Sequence, residues 1–420
     1  MKNFFLKCIH KLWQWISYLF ALPIAIFFIF LYPFHKIKLI GLISDRIGHY
    51  ALNTELLLCY IDDFKKKEES YFFYLREAPI CNQQLHTMWK RIIPIFPLIF
   101  AHLTWRVDYL MSQWLGKKYK NDSIQQFEIT KGNVDKTGVL KKHAPHLFFT
   151  ELEKKRGQDL LRALGMPSDA KWACLLVRDA AYLNQYLAVR DWSYHFHRNA
   201  DIDNFSKAAL FLAEKGYYVL RMGKAVEKKF SLNHPRVIDY ANHACRSDFA
   251  DVYLSAHCAF FISTSSGLDG IPEIFRKPVV FADMSFIRGE LQFWYPGRFF
   301  IFKKVWGILE NRFVSLREIH EKISSEDNLN AKLAQLQWQI IENTPDEILA
   351  VVQEMENSLY GSHNNDNPMH ALLKTTLPFP ITSQRDYLYF HPEQFYIRVG
   401  EDFFNENQSI IADFEKIEIH

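Results

Sequence analysis

The stretch from Cys258 to Asp283, CAFFISTSSGLDGIPEIFRKPVVFAD, constrains the fold more than any other part of the chain. An apolar run closes in Ser263, Thr264, Ser265, Ser266 and Gly267, a short acidic segment follows, and Pro278 leads into a second apolar run at Val279 to Phe281. Strand, hydroxyl-glycine loop, helix and strand in that order predict one crossover of a parallel α/β sheet. Such sheets bind ligands beyond the carboxyl ends of their strands, which puts this loop at the functional edge.

The same alternation extends on both sides. Strands are expected at Trp172 to Val177, Tyr217 to Leu220, Val237 to Tyr240, Ala259 to Ile262 and Phe299 to Phe302. Helices are expected at Asp203 to Glu214 with Asp203 as cap, at Asp248 to His257, at Leu316 to Ile323 and at Asn330 to Glu342. Thr344-Pro345-Asp346-Glu347 opens a further helix, with proline at its first position and acids in its first turn. Nearer the amino terminus, Ile37 to Ile43 reads as a buried strand, Ser44 to Ala51 as its loop, and Asn53 onward as a helix. The fold class is α/β, and 420 residues suffice for two cores. The expected divisions are a hydrophobic segment at 1–35, a first domain at 36–166, a second at 167–360 and a tail at 361–420 that packs back on the domains.

A formal charge of +3 and the lack of a dense basic patch with interleaved aromatics argue against nucleic acid as a partner. Six cysteines without a CxxC pair fit reduced thiols and give no zinc pattern. From Leu12 to Phe34 there is no charged side chain, a length suited to about 30 Å of hydrocarbon. Lys2, Lys7 and Lys11 precede this run, Lys36, Lys38 and Arg46 follow it, and Pro23 interrupts it. Membrane attachment through this segment is therefore expected, either spanning or lying in one leaflet, with a buried core helix as the alternative.

Candidate chemistry gathers where strands should stop. Arg178, Asp179, Arg221 and the Ser263 to Gly267 loop share one predicted sheet edge, and Arg246 stands just before a helix. Guanidinium forks with hydroxyl donors are the groups that hold a diphosphate. Glu273, just after the loop, can accept from sugar hydroxyls or simply complement a helix start. On the first domain, Asp45, Arg46, Gly48, His49 and Asn53 form a second rim, where His49 groups with Asp45 and Glu55, and His49 or a nearby carboxylate is the candidate base. His195, His197, Asp201 and Asp203 lack any recognised metal spacing, and no metal site is expected.

Several segments carry a resemblance: SDRIGHYALNTE at Ser44 to Glu55, LLVRDAAYL at Leu175 to Leu183, RNADIDNF at Arg198 to Phe205, GYYVLRMG at Gly216 to Gly223, and Ser247 to Val280, with a weaker echo at Asn343 to Met355. In this order they resemble a family of bacterial glycosyltransferases associated with surface polysaccharides. The resemblance implies two Rossmann-like domains facing each other across a cleft, the GT-B arrangement. It also implies a nucleotide-sugar donor held by Arg178, Arg221 and the Ser263 to Gly267 loop, and an acceptor met by Arg46, Gly48 and His49. Neither cofactor nor bound metal is implied. The reading is a transferase acting on a lipid-linked glycan at the cytoplasmic face of the inner membrane. A nucleotide-sugar epimerase or hydrolase, or a non-catalytic assembly scaffold, are the alternatives.

Overall fold

The computed structural model describes residues 2–76, 79–116, 119, 135, 138–186, 193–285, 298–323, 328–360 and 398–411. Most of the polar stretch at 118–142 and of the tail at 361–420 lies outside the described residues. The chain divides into two compact units, Met1–Asn133 with Pro145–Phe149, and Val134–Ala144 with Thr150–His420.

The first unit opens with helix α1 (Lys2–Leu31), followed by strand β1 (Lys36–Leu42), helix α2 (Thr54–Phe64), strand β2 (Glu69–Leu75), helix α3 (Gln83–Ile92) and helix α4 (Ala101–Leu115). β1 and β2 pair in parallel from Lys36 opposite Glu69 to Leu42 opposite Leu75, and a bridge joins Phe73 to Ile95. Asn82 caps α3, its side chain accepting the Leu85 N–H at 2.9 Å.

The expected membrane attachment does not hold. Among the described residues no helix is long and apolar enough to cross a membrane, which overturns both the membrane partner and the inner-membrane placement. The helix stops at Leu31, so its almost wholly apolar part from Ile16 is roughly 16 residues, or about 24 Å at 1.5 Å per residue. One face of that part serves the protein interior instead. Ala21 and Ala25 are fully buried in a cluster with Leu39, Val107 and Met111, so α1 packs along α4. Leu19, Phe20, Phe27 and Phe30 lie on its exposed side.

The second unit is built on a seven-stranded sheet in the order β12-β8-β7-β6-β3-β4-β5, every neighbouring pair parallel. Its strands are β3 (Trp172–Leu176), β4 (Tyr218–Arg221), β5 (Val237–Ile238), β6 (Phe260–Ser263), β7 (Val279–Met284), β8 (Arg298–Phe302) and β12 (Arg398–Val399). β3 and β6 are buried at every position, which is why they read as unbroken apolar runs. A small antiparallel sheet of β9 (Lys304–Gly307), β10 (Arg312–Phe313) and β11 (Trp338–Ile341) follows.

The main helices are α5 (Glu151–Ala163), α6 (Ala181–Tyr186), α7 (Ser206–Glu214), α8 (Asp248–His257), α9 (Gly270–Ile274), α10 (Leu316–Lys322), α11 (Leu329–Leu336) and α12 (Pro345–Tyr360), beside short ones at Val139–Lys142, Glu401–Glu406 and Gln408–Ile411. Among them α7 packs with α12, and α8 with α5 and α9. Right-handed crossovers account for the grouping, because the chain moves outward from β3 to β5 and then runs the other way from β6. The Trp172 indole N–H donates to the Leu254 carbonyl at 2.9 Å and pins α8 beneath β3.

Two expected elements differ in detail. The cap before α7 is Asp201, which accepts the Asp203 N–H at 3.0 Å and starts a 3-10 turn, Ile202–Phe205, ahead of the helix. The helix expected through Glu342 ends at Gln337, whose φ of +53° breaks it without a glycine, and Trp338–Ile341 continues as β11. Bulky and β-branched residues there favour a strand once partners on β9 are present.

Candidate functional site

Strand order locates the site before any side chain is considered. The chain fills β3, β4 and β5 toward one edge, crosses back, and fills β6, β7 and β8 toward the other, so the order reverses between the adjacent strands β3 and β6. At such a reversal neighbouring loops leave toward opposite faces of the sheet and open a crevice. Arg178 and Asp179 follow β3, and the Ser263–Gly267 loop follows β6.

The two exits are tied together. The Arg178 main-chain N–H donates to Thr264 Oγ1 at 2.9 Å, and the Thr264 N–H donates to the Leu176 carbonyl at 3.1 Å. Ser263 Oγ donates to Asp269 Oδ2 at 2.9 Å and accepts the Ser265 N–H at 3.1 Å. The Ser266 N–H reaches the same Asp269 oxygen at 2.7 Å. Ser263 and Thr264 are thus buried braces of the loop, whereas Ser265 and Ser266 are half-buried and Gly267 is exposed.

Ser265 has φ of +62°, a left-handed backbone that costs a non-glycine residue about 1–2 kcal/mol. One bond offsets part of that cost: Arg198 donates from its guanidinium to the Ser265 carbonyl at 2.7 Å. Arg198 was not singled out from the sequence. It follows β3 by more than twenty positions, and only the RNADIDNF segment marked its neighbourhood.

The remaining candidates divide clearly. Arg221 is almost wholly buried at 1% exposure, donating to Asp239 Oδ1 at 3.2 Å and to the Lys228 carbonyl at 3.1 Å, with Asp179 Oδ2 3.9 Å away. Asp179 accepts the Ala181 and Glu227 N–H groups at 3.0 and 2.8 Å. These two residues form an internal clamp between the β3 and β4 exits. Arg246 pairs with Asp251 at 2.6 Å beside the Ser247 cap of α8. Burial pushes the Asp251 carboxyl up while Arg246 and the Tyr240 hydroxyl pull it down, leaving it above its ordinary value. Glu273 is buried on α9 at 1% exposure. His197 is buried with Nδ1 2.6 Å from Ser285 Oγ, and Asp201 and Asp203 both face Lys228.

In the first unit, residues 43–48 connect β1 to a π-helical turn, His49–Asn53, that runs straight into α2. Gly48 has φ of −61° and ψ of −46°, ordinary helical values, so this backbone does not demand glycine. Asp45 lies 3.8 Å from Arg46, and Asn53 Nδ2 lies 3.3 Å from His49 Nδ1. Arg46 is exposed and His49 half-buried.

A second cluster in this unit, of which only Glu55 stood out in the sequence, gathers elsewhere. Glu55 and Cys59 on α2 and His146 from the Pro145–Phe149 segment place one ligand-type atom each within 4.8 Å of one another. Desolvation lowers the His146 pKa, but hydrogen bonds with Cys59 and Glu55 and the charge of Glu55 outweigh it and push the imidazole up to about 10.

No protein-family model and no curated protein matches the chain. Among solved structures, it is similar to the family 9 glycosyltransferase of Veillonella parvula, at a TM-score of 0.47 and 9% identity over 76% of this chain and 97% of that one. The chain is similar in structure to bacterial glycosyltransferases of the GT-B fold. The ADP-heptose LPS heptosyltransferase II of E. coli matches at a TM-score of 0.34 and 13% identity over 71% of this chain and 99% of that one. The E. coli heptosyltransferase WaaC with ADP-2-deoxy-2-fluoro heptose matches at 0.34 and 13% over 63% and 93%. All three fall below a TM-score of 0.5.

Proposed function

We propose that the protein is a glycosyltransferase that takes its sugar from a nucleotide-sugar donor. The observation that carries the reading is the joined pair of loops at the β3/β6 reversal, Arg178 bonded through its main chain to Thr264 and Arg198 to the Ser265 carbonyl, at the kind of reversal where sheets of this class bind nucleotides. Breaking a bond between an anomeric carbon and a diphosphate builds negative charge on the leaving phosphate. Guanidinium groups held in place before the reaction stabilise that charge without reorganising. In this proposal Arg178 and Arg198 supply the charge in place of a metal, Ser265 and Ser266 supply hydroxyl donors, and Glu273 stabilises α9 behind them.

The first unit is proposed to serve the acceptor, a growing glycan of bacterial surface polysaccharide, lipid-linked in the proposal's most specific form. His49, oriented by Asn53, takes the proton of the attacking hydroxyl, and direct attack inverts the anomeric centre. Arg46 and Asp45 flank that base.

The test is a panel of nucleotide sugars and nucleoside diphosphates screened by thermal shift on the full chain. Stabilisation by one donor and its diphosphate, lost in Arg178→Ala, supports the reading. A flat response to every member sinks it. Turnover of the donor without any acceptor would move the activity to an epimerase or hydrolase.

A further inference from the structure

We propose that Glu55, Cys59 and His146 form a binding site for a divalent transition metal of the zinc type. Glu55 and Cys59 stand four residues apart on α2, so their side chains leave the same helix face one turn apart. Both are fully buried at 0% exposure. His146 arrives on Pro145–Phe149, a five-residue segment grouped with the first unit although the chain on either side of it belongs to the second.

The donor set carries the argument. One sulfur, one nitrogen and one carboxylate oxygen form a borderline-soft set suited to Zn2+, and their spread of at most 4.8 Å is close to what an ion requires. With metal–ligand bonds of about 2.0–2.3 Å, tetrahedral ligands stand about 3.3–3.8 Å apart. Shifts of about an ångström or less in side chains would therefore close the site.

Orientation supports the same reading. The two nitrogens of His146 face different carboxylates, Nδ1 toward Glu55 Oε1 at 3.1 Å and Nε2 toward Asp62 Oδ2 at 3.0 Å. A carboxylate accepting the outer N–H holds the ring in place, so that an ion displacing the proton from the inner nitrogen would meet Nδ1 as its ligand, the usual arrangement around a metal-bound histidine. Asp62 is half exposed at the outer end of this chain of contacts, as a positioning residue should be.

Charge balance completes the case. A buried carboxylate and a thiolate are costly in an apolar interior, and a dication between them leaves the site neutral. The bound ion would join α2 to the Pro145–Phe149 segment, adding to the His146 N–H bond to Glu55 at 3.3 Å and the Arg91 bond to the Phe148 carbonyl at 3.3 Å. The three ligands come from the first unit alone, and the proposal stands independently of the donor chemistry assigned to the second.

The test is titration of the metal-stripped full chain with Co2+, followed by absorption. One equivalent should produce a thiolate-to-cobalt charge-transfer band in the near ultraviolet with tetrahedral ligand-field bands, and Zn2+ should abolish both. Cys59→Ser should remove the charge-transfer band, and Asp62→Asn should weaken Co2+ binding by about 10–100-fold while keeping it. Because Asp62 is half exposed, that variant keeps the fold and remains informative if Cys59→Ser does not fold. A folded wild-type chain that gives no charge-transfer band overturns the proposal, leaving only an internal histidine-carboxylate ion pair. A band that persists in Cys59→Ser overturns it as well, by placing the thiolate elsewhere.

Discussion

The Arg198 guanidinium donates to the Ser265 carbonyl at 2.7 Å, holding a serine in left-handed backbone at the mouth of the β6 loop. A charged hydrogen bond of this kind is worth about 1.5–3 kcal/mol, and one 1.4 kcal/mol step is tenfold in affinity. Arg198→Ala should therefore raise the KM for the donor at least about tenfold. Circular dichroism on the same variant should show the fold retained, because the bond lies in a half-buried loop rather than the core.

Ser265 itself separates backbone from hydroxyl. Ser265→Gly removes the left-handed penalty but gains chain entropy when unfolded, so thermal stability should stay within about 1 kcal/mol of wild type. Ser265→Val keeps the penalty and adds β-branching, and should lower stability by about 1–2 kcal/mol. Donor binding should weaken in both, since both lack the hydroxyl. Denaturant unfolding with parallel donor titration resolves the two effects.

Arg221 should behave as a structural cation. Removing it takes the cation from half-buried Asp239, which keeps N–H bonds from Phe230 and Asn242, so the loss should approach but not exceed about 3–5 kcal/mol, the range typical of a buried pair. Arg221→Met should lower the melting temperature by many degrees, and adding Asp239→Asn should recover part of the loss. Wild-type stability in Arg221→Met with only donor binding lost would contradict this assignment.

Asp283 sets a pH dependence. Burial pushes its carboxyl up from 3.8 to about 6 despite Lys303 at 3.1 Å, so the folded chain holds a proton that the unfolded chain has released between those values. Stability should fall as pH rises through roughly 4 to 6, by an amount on the order of 2–3 kcal/mol. Urea unfolding of wild type and Asp283→Asn across this range checks it. The gap between them should shift against wild type with rising pH, and a constant gap would refute the assignment.

Gly157 allows α5 to lie against α8, because a Cβ there would run into the Tyr253 ring. Gly157→Ala should cost about 1–3 kcal/mol from overpacking, despite alanine's better helix propensity.

How far the sequence reads depends on how local each signal is. The strands of the second unit were legible because burial on both faces leaves unbroken apolar runs, as in Phe260–Ser263. Trp338–Ile341 was not, since four residues cannot show their period and their strand partner lies on β9. Hydroxyls at 263–266 were legible as one loop after β6, but not which of them brace it. That division rests on Asp269, whose carboxylate binds both Ser263 and the Ser266 amide. Glu55 was grouped with His49 instead, and its meeting with Cys59 and His146 carried no signal because 87 positions separate the last two along the chain, and only folding joins them. The apolar α1 run was legible as a helix, while its division into a packed and an exposed face required α4.

Helix α1 also governs where the polypeptide can be shortened. Removing residues up to the start of β1 would strip Ala21, Ala25 and Tyr32 from Val107, Met111 and Tyr119, turning the inner side of α4 into bare greasy surface. A version without α1 would exchange one sticky face for another, so biochemical work on this protein should keep Lys2–Leu31 in place.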